Sequence, residues 1–307
     1  MSDAAIPVDA DDEFRFLAGD AERVGRSAPL PEVERVVVEA TEGRRIAGLS
    51  WQPGTPPEYV FLHGAGLNAH GYDPTVLALD VPALALDLPG HGRSDWREDA
   101  NYSPDLLAAD VAIALGVLAP EPVTLVGHSL GGLTAMLVAA ARPEAIRRLV
   151  VIDITPGVVP SRDAGSISEF ITGQRDYATH EEIVDRAIAF GIGSDRAALT
   201  RGVALNTRRR PDGRWEWTHH LAHLEGLPIA ASDDPAPLAP LWGALEAIAA
   251  AGVPLTLIAA SEGLVGEALR EEWADRLPGS TVVTIEGPHN LHEAAPLELA
   301  AALREAR

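Results

Sequence analysis

A chain of 307 residues, 47% of them hydrophobic, has enough apolar material for a large core and is expected to be globular, as one large α/β domain with an insertion rather than two unrelated domains. Its formal charge is −21 and its 24 cationic residues are all arginine, so the basic face that nucleic acid or an anionic membrane rewards is missing and neither is expected as a partner. Cysteine is absent, which excludes a disulfide framework and thiol catalysis.

Residues 1–20 are acidic and lack a basic region followed by an apolar core. No later run approaches the roughly 18 uninterrupted apolar residues of a membrane span. Neither secretion nor membrane anchoring is expected, and the cytoplasm is the expected compartment.

The chain begins with a polar extension, residues 1–32, that reads as a loose tail or a short capping helix around residues 14–17. Residues 33–38 and 45–51 read as two strands joined by the turn Thr41-Glu42-Gly43-Arg44, an antiparallel edge. A short apolar strand at 59–62 ends in His63-Gly64-Ala65-Gly66, followed by a helix at 71–79, a strand at 81–88 and the turn Pro89-Gly90-His91-Gly92. From Ser103, with Pro104 at the first helical position, apolar residues recur at helical spacing through Leu118. Residues 122–126 and 149–152 are buried strands on either side of an alanine-rich helix at 132–142. Strands alternating with helices from residue 59 imply right-handed crossovers and a mostly parallel sheet.

That alternation stops between residues 155 and 240, where helical pieces such as 181–190 occur without a convincing strand, and where 230–240 is a loop of Ala, Pro and Asp. The stretch reads as an inserted helical cap. Alternation resumes with a helix at 241–251, a strand at 254–260, a helix at 265–277, a strand at 281–285 and a last helix at 296–304. The expected organisation is a core of residues 33–154 and 241–307 with a cap at 155–240.

Within this order, Gly127-His128-Ser129-Leu130-Gly131 places a serine between strand and helix with glycine two positions to each side. That is the pattern of a nucleophile elbow, in which the serine backbone is strained and the glycines permit a close strand-helix crossing. Three further motifs accompany it: His63-Gly64, Asp87-Leu88-Pro89-Gly90-His91-Gly92-Arg93-Ser94, and Gly287-Pro288-His289-Asn290. In this order and spacing the chain resembles the α/β-hydrolase fold family, over residues 33–307 apart from the cap. The resemblance implies a mostly parallel sheet flanked by helices, Ser129 as nucleophile, His289 as general base, and an oxyanion hole from the backbone N–H groups of Leu130 and Ala65. The family commonly carries Gly-x-Gly-His where this chain has Pro288 before His289.

The chemistry accounts for these residue types. A serine hydroxyl is a poor nucleophile at neutral pH until an imidazole takes its proton, and a carboxylate must fix the imidazole's tautomer. Two carboxylates compete for that role. Glu262, in Ala259-Ala260-Ser261-Glu262-Gly263, falls where most of the family carries its acid, and Asp153 ends the strand after the elbow helix, where other members carry theirs. Asp153 is preferred, because a carboxylate at so apolar a strand end is costly to bury without a partner. His292 competes with His289 but lies at the start of the last helix, where it caps or packs.

Other features have plainer readings. His219, His220 and His223 lack the carboxylate or cysteine that would complete a metal site, so no metal and no cofactor is expected. Trp215 and Trp217 line an acyl pocket or pack the cap onto the core, Arg208-Arg209-Arg210 is a solvated run, and His128 and His91 are structural. The expected function is hydrolysis of a small carboxylic ester, thioester or lactone through an acyl-enzyme, on a small-molecule substrate. A carbon-carbon bond hydrolase or lyase, or a ligand-binding protein of the same fold, are the alternatives. Oligomeric state is not legible.

Overall fold

The computed structural model of the protein describes residues 13–27, 29–224 and 236–306. The acidic start of the N-terminal extension and most of the loop expected at 230–240 lie outside the described residues. Strands in chain order are β1 (Val33–Glu39), β2 (Arg45–Trp51), β3 (Tyr59–Leu62), β4 (Ala83–Leu86), β5 (Val123–His128), β6 (Ile146–Ile152), β7 (Asp176–Tyr177), β8 (Thr207–Arg209), β9 (Trp215–Trp217), β10 (Leu255–Glu262) and β11 (Thr281–Pro288).

Eight of them form one sheet in the order β1-β2-β4-β3-β5-β6-β10-β11. β1 and β2 pair antiparallel, as does β2 with β4, and every later pair is parallel. β3, β4 and β5 are buried along their whole length, which explains their near-continuous apolar runs: a parallel strand is covered by helices on both faces and has no polar side to alternate with. Two cores flank the sheet. One sets the helices Pro104–Leu118, Leu130–Ala141 and Leu241–Ala250 against one face, and the other sets Leu17–Arg23, Asp73–Leu79 and Pro296–Glu305 against the opposite face.

The stretch between β6 and Leu241 is not purely helical, as the sequence pattern suggests it should be. Helices Pro160–Asp163, Gly165–Thr172, His180–Ala189 and Arg196–Asn206 accompany an antiparallel sheet of order β7-β9-β8. Strands of two or three residues are too short for alternation to register in sequence. Two members of the arginine run are paired, Arg208 with Glu216 on β9 at 2.8 Å and Arg210 with Asp176 at 3.1 Å, while Arg209 is exposed as expected of a solvated run.

The N-terminal segment, whose role sequence does not reveal, is tied down by charge. Glu13 pairs with Arg35 of β1, whose other nitrogen holds Asp87 at 2.7 Å. Asp20 accepts from Arg201 Nε at 2.8 Å, and the same guanidinium reaches Asp73 at 2.9 Å and the His70 carbonyl at 3.1 Å. One buried arginine thereby joins the first helix, the helix after β3 and the inserted segment. Among the described residues no helix is long and apolar enough to cross a membrane.

Candidate active site

Ser129 sits between β5 and the helix Leu130–Ala141 with φ 51° and ψ −120°. This left-handed backbone is strained for a residue bearing a Cβ. The Ser129 N–H is held by Ile152 O of β6 at 3.1 Å. A Cβ on Gly131 would lie 2.3 Å from Leu62 O, and one on Gly127 would lie 2.3 Å from Gly131 O, so neither position accepts a side chain while strand and helix cross this closely. Leu130 opens the helix, and an N–H in the first turn has no acceptor inside the helix.

Asp153 follows β6 directly and is fully buried. It also adopts a left-handed backbone, φ 49°, a conformation that aspartate tolerates better than most residues. Its Oδ2 lies 2.7 Å from Nδ1 of His289 and accepts from the Leu264 N–H at 2.7 Å. Oδ1 accepts from the N–H groups of Ala260 at 3.0 Å and Val265 at 3.3 Å. A buried carboxylate needs such donors. The loop after β10 can wrap this tightly because residue 263 is glycine, where a Cβ would lie 1.9 Å from Asp153 Oδ2. Glu262, at the end of β10, is exposed, and no hydrogen bond joins it to His289 among the described residues. The structure therefore brings Asp153 to His289 and leaves Glu262 at the surface. The role of Gly263 and of the three backbone donors depends on this wrapping and is not carried by sequence pattern; its one local signal is a small residue directly after the competing carboxylate.

His289 follows β11, and its carbonyl accepts from His128 Nε2 at 3.0 Å. His128 is buried, and that burial together with the neighbouring His289 pushes its pKa well below the usual value. It is a neutral brace under the loop. His292 is fully buried against Tyr72 and His128, with neither ring nitrogen partnered among the described residues; burial brings its pKa down to about 3.

The other motifs shape the loop carrying Ala65. His91 Nε2 accepts the Gly66 N–H at 3.1 Å, and His63 Nε2 accepts the Leu88 N–H at 3.0 Å. An accepting nitrogen carries no proton, and burial lowers both pKa values accordingly. The Asp87 carboxylate binds the N–H groups of Ala69 at 2.8 Å and Arg93 at 3.1 Å, while the Ser94 hydroxyl donates to Asp87 O at 2.5 Å. The expected structural role of His91 matches this geometry.

Two cavities meet at Ser129, Ala65, Ile167 and Ile171. One, about 90 Å³, is bordered by His289, Asn290, Glu293, Gly202, Trp217 and His219. The other, about 370 Å³, runs past Leu130 among Leu133, Ile154, Val158, Leu238 and Leu264. Trp217 is a cavity wall and packs edge-on to Phe170 and Tyr177; Trp215 packs on His180 at 3.9 Å and borders neither cavity. The three cap histidines have other work: His219 Nδ1 accepts from the Ala222 N–H at 3.2 Å, His220 Nδ1 lies 2.6 Å from the Tyr102 hydroxyl and its ring stacks on Trp96, and His223 packs against the same indole. Among the described residues no group of three or more His, Cys, Asp or Glu is arranged to hold a metal.

The model of the alpha/beta hydrolase family matches residues 59–302. Esterase Rv0045c of Mycobacterium tuberculosis is 40% identical over 253 residues, covering 80% of this chain and 78% of that protein. Its solved structure matches with a TM-score of 0.81 at 37% identity, over 96% of this chain and 98% of that one. The sn-1-specific diacylglycerol lipase ABHD11 of Mus musculus is 38% identical over 183 residues, 55% of this chain and 57% of that protein. The chain belongs to the alpha/beta hydrolase family, and the eight-stranded sheet is that family's sheet.

Proposed function

We propose that the protein is a serine hydrolase that cleaves a small carboxylic ester, thioester or lactone. In this reading Ser129 Oγ attacks the carbonyl carbon while His289 takes its proton, and Asp153 holds the imidazole by Nδ1 and stabilises the imidazolium. The oxygen that becomes negative is received by the N–H groups of Leu130 and Ala65. Collapse breaks the carbon-oxygen bond, and His289 returns the proton to the departing alcohol. Water then attacks the acyl-enzyme with His289 again as base, releasing the acid and restoring Ser129. Residues 155–240 act as the cap over a core of 33–154 and 241–307.

One observation carries the reading: Ser129 and His289 border one cavity, and His289 Nδ1 lies 2.7 Å from the buried carboxylate of Asp153, which does not border that cavity. The likeness to an esterase over most of both chains supports ester cleavage. Carbon-carbon bond hydrolases and lyases would keep the same three groups, so substrate class is tested separately from the nucleophile. The test is labelling by a fluorophosphonate probe together with turnover of an ester panel. Labelling of the wild type that vanishes in Ser129→Ala, with turnover of at least one ester, is the expected result. A folded protein that never labels and hydrolyses no ester overturns it in favour of a binding protein.

A further inference from the structure

The two cavities at Ser129 are not equivalent, and acyl transfer decides which half of an ester each receives. The base that took the serine proton must return it to the departing oxygen, so the alcohol half lies on the side of His289. His289 borders the smaller cavity and not the larger. The acyl half then extends past Leu130 into the larger one, whose walls Leu133, Ile154, Val158, Leu238 and Leu264 suit an apolar chain.

The smaller cavity carries an unexplained group. Glu293 borders it four residues beyond His289. The hydrogen bond its Oε2 accepts from Asn290 Nδ2 is long, 3.5 Å, and no donor reaches Oε1 among the described residues. Its main chain is fixed, since the Glu293 carbonyl accepts from Arg23 at 2.5 Å. Beside Oε1 stands Gly202, where a Cβ would come within 3.0 Å. Burial pushes this carboxyl above the usual range, with Arg201 and Arg23 pulling the other way. Glu293 is half-buried, and its Oε1 stands free at the cavity to accept from a donor that enters it. The nearby arginines favour a neutral donor over an ammonium.

We infer that the leaving alcohol occupies the His289-side cavity and is held there by a hydroxyl donating to Glu293, so that the preferred ester joins an apolar acyl chain to a small hydroxylated alcohol. This rests on the Ser129 and His289 roles proposed above.

1-Octanoylglycerol and ethyl octanoate form the same acyl-enzyme and differ only in the alcohol released. With the full-length protein, kcat/KM for 1-octanoylglycerol is expected to exceed that for ethyl octanoate by about tenfold, the effect of one well-formed buried hydrogen bond. Glu293→Leu is expected to bring that ratio to about one, and Glu293→Gln, which keeps an acceptor oxygen, to retain most of it. Should Glu293→Leu not fold, Gly202→Ala crowds Oε1 from a helical position that favours alanine and lowers the ratio the same way. Equal efficiency on both esters in the wild type overturns the inference, as does a Glu293→Leu enzyme in which both fall in parallel, the signature of a structural role. Absence of Ser129 labelling and of turnover on either ester is a different result, which removes the hydrolase reading and this inference with it.

Discussion

Asp153 Oδ2 lies 2.7 Å from His289 Nδ1, across 136 residues of sequence. The contact joins the ends of β6 and β11, which lie on either side of β10 in the sheet. If this carboxylate sets the tautomer of His289, Asp153→Asn keeps the shape of the site and presents the wrong hydrogen-bonding group. kcat is expected to fall on the order of 10³-fold or more in steady-state ester hydrolysis. Glu262→Gln, at the exposed end of β10, is expected to leave kcat within about twofold, as surface changes away from a site do. Comparable losses in the two variants would show that Glu262 contributes and that Asp153 does not act alone.

Gly263 offers a test that leaves every side chain of the site unchanged. A Cβ there would lie 1.9 Å from Asp153 Oδ2, and the backbone cannot move away without giving up the Leu264 and Val265 donors. Gly263→Ala is therefore expected to displace the carboxylate and cut kcat by roughly tenfold or more, since small misplacements of positioning groups are expensive in rate. Gly266→Ala is the control, because nothing lies within 4 Å of a Cβ at that position. Unchanged kcat in Gly263→Ala would mean that the placement of Asp153 does not limit turnover.

Most strands of the large sheet were legible because burial on both faces turns them into apolar runs. Tyr59–Leu62 and Arg45–Trp51 agree with the expected bounds residue for residue, and the others differ mainly at their ends, as with β6, which begins at Ile146 rather than 149. What sequence pattern could not carry was anything set by pairing at long range. β7, β8 and β9 are too short for a period, and the link from Asp20 to Arg201 spans 181 residues. Candidate nucleophile and base were readable because the elbow and the post-strand histidine are local patterns. The two competing carboxylates were harder to separate because both stand at the carboxyl ends of adjacent parallel strands, β6 and β10. What distinguishes their surroundings is the path of residues 260–265 around Asp153.

Arg201 bridges Asp20 and Asp73, and all three side chains are nearly buried. Burial raises the pKa of Asp20 while Arg201 opposes it. Arg201→Leu keeps much of the volume and removes the charge, leaving two carboxylates without their guanidinium. Loss of one partner from a buried charge network costs about 3 to 5 kcal/mol, to be read as a shift in the urea midpoint at unchanged slope. An unchanged midpoint would show that the first helix and the inserted segment are held by packing alone.

The histidines predict an asymmetric dependence of stability on pH. Burial alone would lower the pKa of His70, but Asp73 beside its Nδ1 and Glu13 beside its Nε2 overcome that and push it up to about 8. A folded pKa above the ordinary 6.5 stabilises the fold fully below that value, and the contribution is lost as pH rises through about 8. The displacement is worth on the order of 2 kcal/mol. His219 and His292 are shifted the other way, each brought down to about 3 by burial, and His63, His91 and His128 are lowered as well. Each of these is neutral when folded and takes a proton more readily when unfolded, so its contribution is present above 6.5 and is lost as pH falls. Urea midpoints measured from pH 5 to 9 are expected to peak at about 6.5 to 7, with a shallow alkaline arm set by His70 and a steeper acid arm set by the lowered imidazoles, to which His180, His220 and His223 also belong. A midpoint that climbs from pH 6.5 to 8.5 would contradict the charged His70 between Glu13 and Asp73.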